Sequence, residues 1–321
     1  NRMDYMFNNC TNLQKVLFFA GLSGFDTIYT KSMKFMFNNC SSIISSDMLT
    51  IIINGVSDIS YMFNNCTSLI NFELNDKMYI TYYKKSELTN MAFMFNNCTN
   101  LETVDISNLE FDTNIILKGM FNNCISLKTI IFFALSIPKV MDFSYMFQNC
   151  VSLESLDFSV FKQIIVDNTL EGLFFNCNQL SILNISGFDT SKTTNMKLMF
   201  FNCSNLTSLN LNNFVTSSVT DMNSMFSNCR SLSYLNLNSF ITNSVLDMSS
   251  MFKNCESISF LFLNNFNTAL VKRMDSMFNN CYNLKSLYIT NFNTKSVVSM
   301  TSMFENCNSL LLLNIAMFDT S

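Results

Sequence analysis

The sequence predicts an α/β solenoid: a right-handed coil of about 12 repeats, with one parallel β-sheet along one face and short helices or 3₁₀ segments along the other. Three observations carry this. The chain of 321 residues holds 12 cysteines, each preceded by Asn, and the steps between them are 30, 26, 32, 26, 26 and 27, then 26 throughout. Periods of roughly 20 to 50 residues mark stacked-repeat architectures. Within each copy the apolar residues before the Cys have helical spacing, and those after it alternate as in a strand.

The copy around Cys281 shows the elements in order. Met274, Met277, Phe278 and Cys281 stand at i, i+3, i+4 and i+7, one face of a helix. Such a helix has about two turns, too few to stand alone, so packing must hold it; a 3₁₀ segment would serve nearly as well. Asn280 and the residues after Cys281 read as a turn, because Asn and Ser side chains compete for backbone bonds. Leu284, Leu287 and Ile289 then read L-x-x-L-x-L, the last two alternating as in a strand, and Phe292 opens the next copy. This is the strand signature of leucine-rich repeats, in which parallel strands line one face of the coil. The same columns recur around Cys229 and Cys255.

The columns resemble the DUF285 repeat of bacterial surface proteins, within the BspA-like leucine-rich repeats. The residues that carry the resemblance are Phe188-Asp189-Thr190-Ser191, Met196, Met199-Phe200, Cys203, Leu206, Leu209 and Leu211. It covers essentially the whole chain and is strong from about Ile182. It implies a surface-exposed, adhesin-like binding protein and carries over no catalytic residue. The early copies depart from the pattern. Extra residues fall around Phe19 to Gly24 and in Asn75 to Asn90, Ser46 stands in a core Leu column, and Phe111-Asp112-Thr113 is displaced by two positions. The whole chain, 1–321, is therefore read as one solenoid with irregular repeats over 1–135 and regular ones over 136–321. It opens on Asn1 and closes on Phe318-Asp319-Thr320-Ser321, the start of a further copy, so an excerpt of a longer array is expected, with any signal, cap or anchor outside it.

Composition excludes several classes. An apolar fraction of 49% is ample for a continuous core and argues against disorder. Charged residues are 13% with a net charge of −4, so no basic stripe exists to neutralise phosphates and nucleic acid is not an expected partner. The richest apolar stretch, Thr129 to Leu135, is too short to span a bilayer, so no transmembrane segment is expected. With no His, neither a Ser-His-Asp nor a Cys-His arrangement can form.

The cysteines invite a disulfide or metal reading. One Cys per rung instead places Cys203, Cys229, Cys255, Cys281 and Cys307 in a straight inward-facing ladder. Neighbouring Cβ atoms would lie about 4.8 Å apart, beyond the roughly 3.5–4.5 Å of a disulfide. Buried free thiols, acting as small hydrophobes, are expected, with no metal and no cofactor. Asn9-Cys10-Thr11 and four similar triplets match a glycosylation sequon, but the Asn is present in all 12 copies, including those lacking the Ser or Thr. A structural role in the turn, as an amide ladder, explains it better. The Met and Phe columns read as core, and Thr190, Thr216, Thr242, Thr268 and Thr294 as turn-stabilising hydroxyls. Glu73 and Asp105 share an outward strand column and would lie about 5 Å apart, the separation of a retaining glycosidase. A solvated surface column is the preferred reading, and no enzyme is expected.

A binding site is sought where the repeat stops repeating. Outward strand positions are small and polar in most copies, as at Asn184, Asn210 and Ser208. They become aromatic at Tyr234, Phe260, Phe262 and Tyr288, on three adjacent strands. Exposed apolar patches mark interaction sites, and Tyr is enriched at interfaces. This patch is the candidate contact for a protein or glycan partner, host-derived or from a neighbouring cell. The insert carrying Tyr79, Tyr82, Tyr83, Lys84 and Lys85 is a secondary candidate. The expected function is a non-catalytic cell-surface or secreted adhesion protein; the alternative is an intracellular or virus-encoded scaffold.

Overall fold

The computed structural model describes residues 1–16, 29–46, 55–73, 87–107, 114–132, 139–161 and 163–319. They form a parallel β-solenoid with short strands. In chain order these are β1 (Asn71–Glu73), β2 (Thr103–Asp105), β3 (Ile115–Ile116), β4 (Thr129–Ile131), β5 (Lys139–Asp142), β6 (Ser155–Asp157) and β7 (Ile164–Thr169). There follow β8 (Ile182–Asn184), β9 (Phe188–Asn195), β10 (Ser208–Leu209), β11 (Tyr234–Leu235), β12 (Phe260–Phe262), β13 (Ser286–Tyr288) and β14 (Leu312–Leu313). The chain divides into two compact units, residues 1–155 with 160–164, and residues 156–159 with 165–321.

In the first unit β1, β2 and β4 pair in parallel, with Phe72 opposite Val104 and Val104 opposite Ile130. In the second, β12, β13 and β14 do the same through Leu261, Leu287 and Leu313. These strands occupy the L-x-x-L-x-L column, with the central Leu or its equivalent turned inward. A second parallel track, which the sequence reading lacks, lies just before the Met-x-x-Met-Phe segment or its Ile- or Leu-initiated equivalent. It runs through bridges Arg2–Ser32–Asp58–Asn90–Ile116 in the first unit and Asn195–Asp221–Asp247–Arg273–Ser299 in the second.

No helix forms among the described residues, which corrects the α part of the expected fold. The spacing is right and the backbone differs. Met248, Met251, Phe252 and Cys255 are all buried as the apolar face requires. Alternate N–H groups close local turns: Met251 donates to the Met248 carbonyl (3.2 Å), Lys253 to Ser250 (3.1 Å) and Cys255 to Phe252 (3.1 Å). The groups between them donate to the next rung: Met248 to the Arg273 carbonyl, Ser250 to Asp275, Phe252 to Met277 and Asn254 to Asn279, at 2.8–3.0 Å. The switch is made by left-handed residues, Ser250 (φ 56°) and Asn254 (φ 58°). A helix needs an unbroken right-handed run and keeps its N–H bonds within itself. Each left-handed residue ends a turn and frees a donor for the neighbouring rung. The segment thus satisfies its backbone by cross-linking rungs.

The core repeats with the coil. In the first unit Phe37, Phe63, Phe95, Phe121 and Phe147 stack ring on ring at 5.4–5.8 Å. In the second, Phe174, Phe200, Phe226, Phe252, Phe278 and Phe304 stack at 5.6–5.7 Å. Parallel rings offset by one rung keep the favourable stacked geometry. Ser46, the polar residue in a core column, is buried and satisfied: its hydroxyl donates to the Glu73 carbonyl (3.1 Å) and accepts from the Glu73 N–H (2.8 Å). Much of the Phe19–Gly24 and Asn75–Asn90 insertions, and Phe111-Asp112-Thr113, lie outside the described residues.

Candidate functional site

The strand face of the second unit carries the candidate site. In β12 the pattern is exposed, buried, exposed: Leu261 points into the core, so Phe260 and Phe262 must point out. Pairing with β13 sets Phe260 opposite Ser286 and Phe262 opposite Tyr288. The Phe262 and Tyr288 rings stack at 4.6 Å, 10° from parallel. Tyr234 lies opposite Ser208 in the β10–β11 pair, one copy before Phe260 in the same column. The four are 65% (Tyr234), 55% (Phe260), 52% (Phe262) and 40% (Tyr288) exposed, well above what ring packing within the coil would leave. The structure thus joins Phe262 with Tyr288 directly and sets Phe260 and Tyr234 on the same face.

The edge of this surface is built from amides and hydroxyls. Asn236 donates its amide to Asn212 Oδ1 (3.2 Å), and Asn264 Oδ1 accepts from the Thr290 hydroxyl (3.0 Å). Four sequence windows cover the strands and their exits: 207–213, 233–239, 259–265 and 285–291. They contain a single formal charge, Lys285. The surface is aromatic and polar but nearly uncharged.

The other candidates fall elsewhere. Tyr79, Tyr82, Tyr83, Lys84 and Lys85 lie outside the described residues. Glu73 and Asp105 are opposite partners in the β1–β2 ladder, and Asp105 Oδ1 accepts the Ser107 N–H (2.9 Å), a turn bond. Cys203, Cys229, Cys255 and Cys281 are buried, Cys307 is half-buried, and all are free thiols. Each of the five donates its S–H to the carbonyl of the Phe three residues before the preceding Cys: Cys229 to Phe200 and Cys255 to Phe226 at 3.1 Å, for example. Burial pushes the Cys229 thiol up to about 12 and Cys40 up to about 11. These thiols are protonated donors with no nucleophilic character at neutral pH. Among the described residues no group of three or more Cys, Asp or Glu is placed to hold a metal ion.

The repeating Thr hydroxyls do more than steady a turn. Thr216 is buried, donates to the Ile241 carbonyl (2.9 Å) and accepts from the Ile241 N–H (2.8 Å), clamping one rung to the next. Thr190, Thr242, Thr268 and Thr294 repeat the clamp. The sequence reading also missed an outer aromatic stack in the first unit. Tyr5, Phe35, Tyr61 and Phe93 lie ring on ring at 4.9, 4.5 and 5.0 Å, with Lys34 Nζ 5.4 Å from the Phe35 centroid. The signal was present: each stands five residues before its Cys, at the first left-handed position of the turn.

No helix among the described residues is long and apolar enough to cross a membrane. No curated protein sequence matches the chain. Among solved structures, a leucine-rich repeat protein from Bacteroides ovatus is similar over 96% of this chain and 74% of its own, with 18% identity and a TM-score of 0.54. That likeness shows a leucine-rich-repeat fold. A leucine-rich cell surface protein from Faecalibacterium prausnitzii matches 96% of this chain and 79% of its own at 15% identity, with a TM-score of 0.32. A chain of the Drosophila Toll–Spatzle complex matches 88% of this chain at 15% identity, with a TM-score of 0.34; there this chain spans about a third of the relative, 34%. The family model described as "Mycoplasma protein of unknown function, DUF285" matches residues 1–77, 71–164, 168–262 and 257–321. With nearly every residue covered by that model and a leucine-rich-repeat solenoid as its fold, the chain belongs to the DUF285 family.

Proposed function

We propose that this chain is a non-catalytic adhesion protein, displayed on a cell surface or secreted, that binds a host or neighbouring-cell protein or glycan through its strand face. The carrying observation is the exposed Phe262–Tyr288 stack with Phe260 and Tyr234 on the same strand face, at columns where most other copies place small or polar residues and none places an aromatic ring. Large exposed aromatics gain no stability from solvent, whereas burial against a partner recovers about 25 cal/mol per Å² of apolar area. In this reading the chain forms about 12 right-handed coils, the cysteines are its spine, and the insert with Tyr79, Tyr82 and Tyr83 is a second contact. The test is the triple variant Tyr234→Ser/Phe262→Ser/Tyr288→Ser, compared with wild type on an array of extracellular-matrix proteins and glycans. The expected result is loss of about tenfold or more in affinity with an unchanged melting temperature; retained affinity refutes the site.

A second reading, an intracellular scaffold, is favoured by one observation. No disulfide forms among the described cysteines, as is usual for chains kept in reducing compartments. Localising the full-length protein in its native cell decides between the two.

A further inference from the structure

Building on the strand-face reading above, we propose that the ligand is an uncharged, extended, β-linked glycan chain lying across the strands, along the direction in which the rungs stack. Two features of the patch point to it.

The first is periodicity. Successive rungs present one outward position about every 4.8 Å, the spacing of hydrogen-bonded strands, and the Phe262–Tyr288 centroid distance of 4.6 Å follows it. An extended polypeptide advances about 3.3 Å per residue, with side chains facing one way only every second residue. Laid across the strands, it falls out of step with the rungs almost at once. An extended β-1,4-linked polysaccharide advances by close to one rung spacing per sugar, and its alternate sugars, which face the same way, therefore meet equivalent positions two rungs apart.

The second is chemistry. A neutral pyranose offers an apolar C–H face and a rim of hydroxyls. Phe260 and Tyr234 supply exposed aromatic surface for the former, and the Phe262–Tyr288 pair, stacked on each other, offers its outer faces and edges. Asn236, Asn264 and Thr290 supply donors and acceptors for the latter, already oriented by bonds to their neighbours. An acidic glycan or a polyionic protein would find only Lys285 to pair with in these windows.

The experiment is calorimetric titration of the folded chain with cellohexaose and N-acetylchitohexaose, and with the corresponding disaccharides. The array comparison of wild type and Tyr234→Ser/Phe262→Ser/Tyr288→Ser runs in parallel. The proposal expects at least one hexasaccharide to bind about tenfold or more tightly than its disaccharide. Binding should change little with added salt, because no charge pairing is involved, and should be lost in the triple variant, whose circular dichroism matches wild type. Four results overturn it. The first is a hexasaccharide bound equally by wild type and variant, which puts the glycan elsewhere. The second is a hexasaccharide bound no better than its disaccharide, which removes the periodic match. The third is absence of oligosaccharide binding while the variant loses a protein spot on the array; the glycan is then wrong and the strand-face site stands. The fourth is absence of oligosaccharide binding with an unchanged array pattern, which removes both.

Discussion

The Asn before each Cys carries two tasks at one position. It holds a left-handed backbone, as at Asn254 (φ 58°), and its amide bridges rungs, donating to Asn228 Oδ1 (2.6 Å) and accepting from the Asn280 amide (2.7 Å). Asn tolerates φ > 0 better than other side chains, and only Gly does so freely. Asn254→Ala should therefore cost about 2–3 kcal/mol, from backbone strain and lost amide bonds, and Asn254→Gly about 1 kcal/mol less; urea unfolding of both variants checks the order. The thiols make a pH prediction. Burial raises Cys40 to about 11 and Cys229 to about 12, above the ordinary thiol value of 9.0. The folded chain keeps protons that the unfolded chain releases, so the thiol contribution is intact below about pH 9 and lost as pH rises toward the folded values. Each such thiol steepens the loss by about 1.4 kcal/mol per pH unit. Melting curves should be flat from pH 7 to about 8.5 and fall steeply beyond pH 9, less steeply in Cys229→Ala. At this scale the structural role of Asn was legible, because it persists in copies without a sequon. The sign of its φ was not, because side-chain identity alone does not choose between helical and left-handed backbone for Asn.

At the scale of elements, the expected helix and the observed turns share one apolar spacing. Residues at i, i+3, i+4 and i+7 fall on one face of an α-helix, and equally on the inner face of successive three-residue turns broken by left-handed residues. The distinguishing marks were Gly119 and Gly172, standing five residues before Cys124 and Cys177 with φ of 56° and 58°. Gly119 also meets the outer aromatic stack: a Cβ there would lie 2.3 Å from Phe93 Cε1. Gly119→Ala should destabilise by about 1–3 kcal/mol, and Phe93→Ala/Gly119→Ala should recover part of that cost. A double-mutant cycle by urea unfolding is expected to show a coupling of at least about 0.5 kcal/mol; additive effects would mean that the ring moves aside freely. The strands were more readable, because L-x-x-L-x-L alternates with period two and the structure places its central residues inward at Leu261 and Leu287. The second strand track was unreadable. Positions such as Asp221 and Asp247 are polar and bridge neighbouring rungs through their backbone, leaving no hydrophobic trace at those positions.

For the whole molecule, the repeat and the function are complementary. Columns that recur, Met, Phe, Cys, Leu and Thr, are occupied by stacking, thiol and clamp interactions within the coil. The copies differ on the outward face, and there the structure keeps Phe262 and Tyr288 stacked and exposed; in the proposed function, recognition falls to this face. The identity of a partner was not legible in sequence, because a repeat motif encodes how rungs stack and carries no imprint of what touches them. The most direct test is hydroxyl-radical footprinting of wild type with and without the ligand that it retains on the array. The account predicts that Tyr234, Phe260, Phe262 and Tyr288 lose reactivity on binding while Tyr5 and Tyr61 do not. Unchanged reactivity at those four residues in the bound state would contradict it.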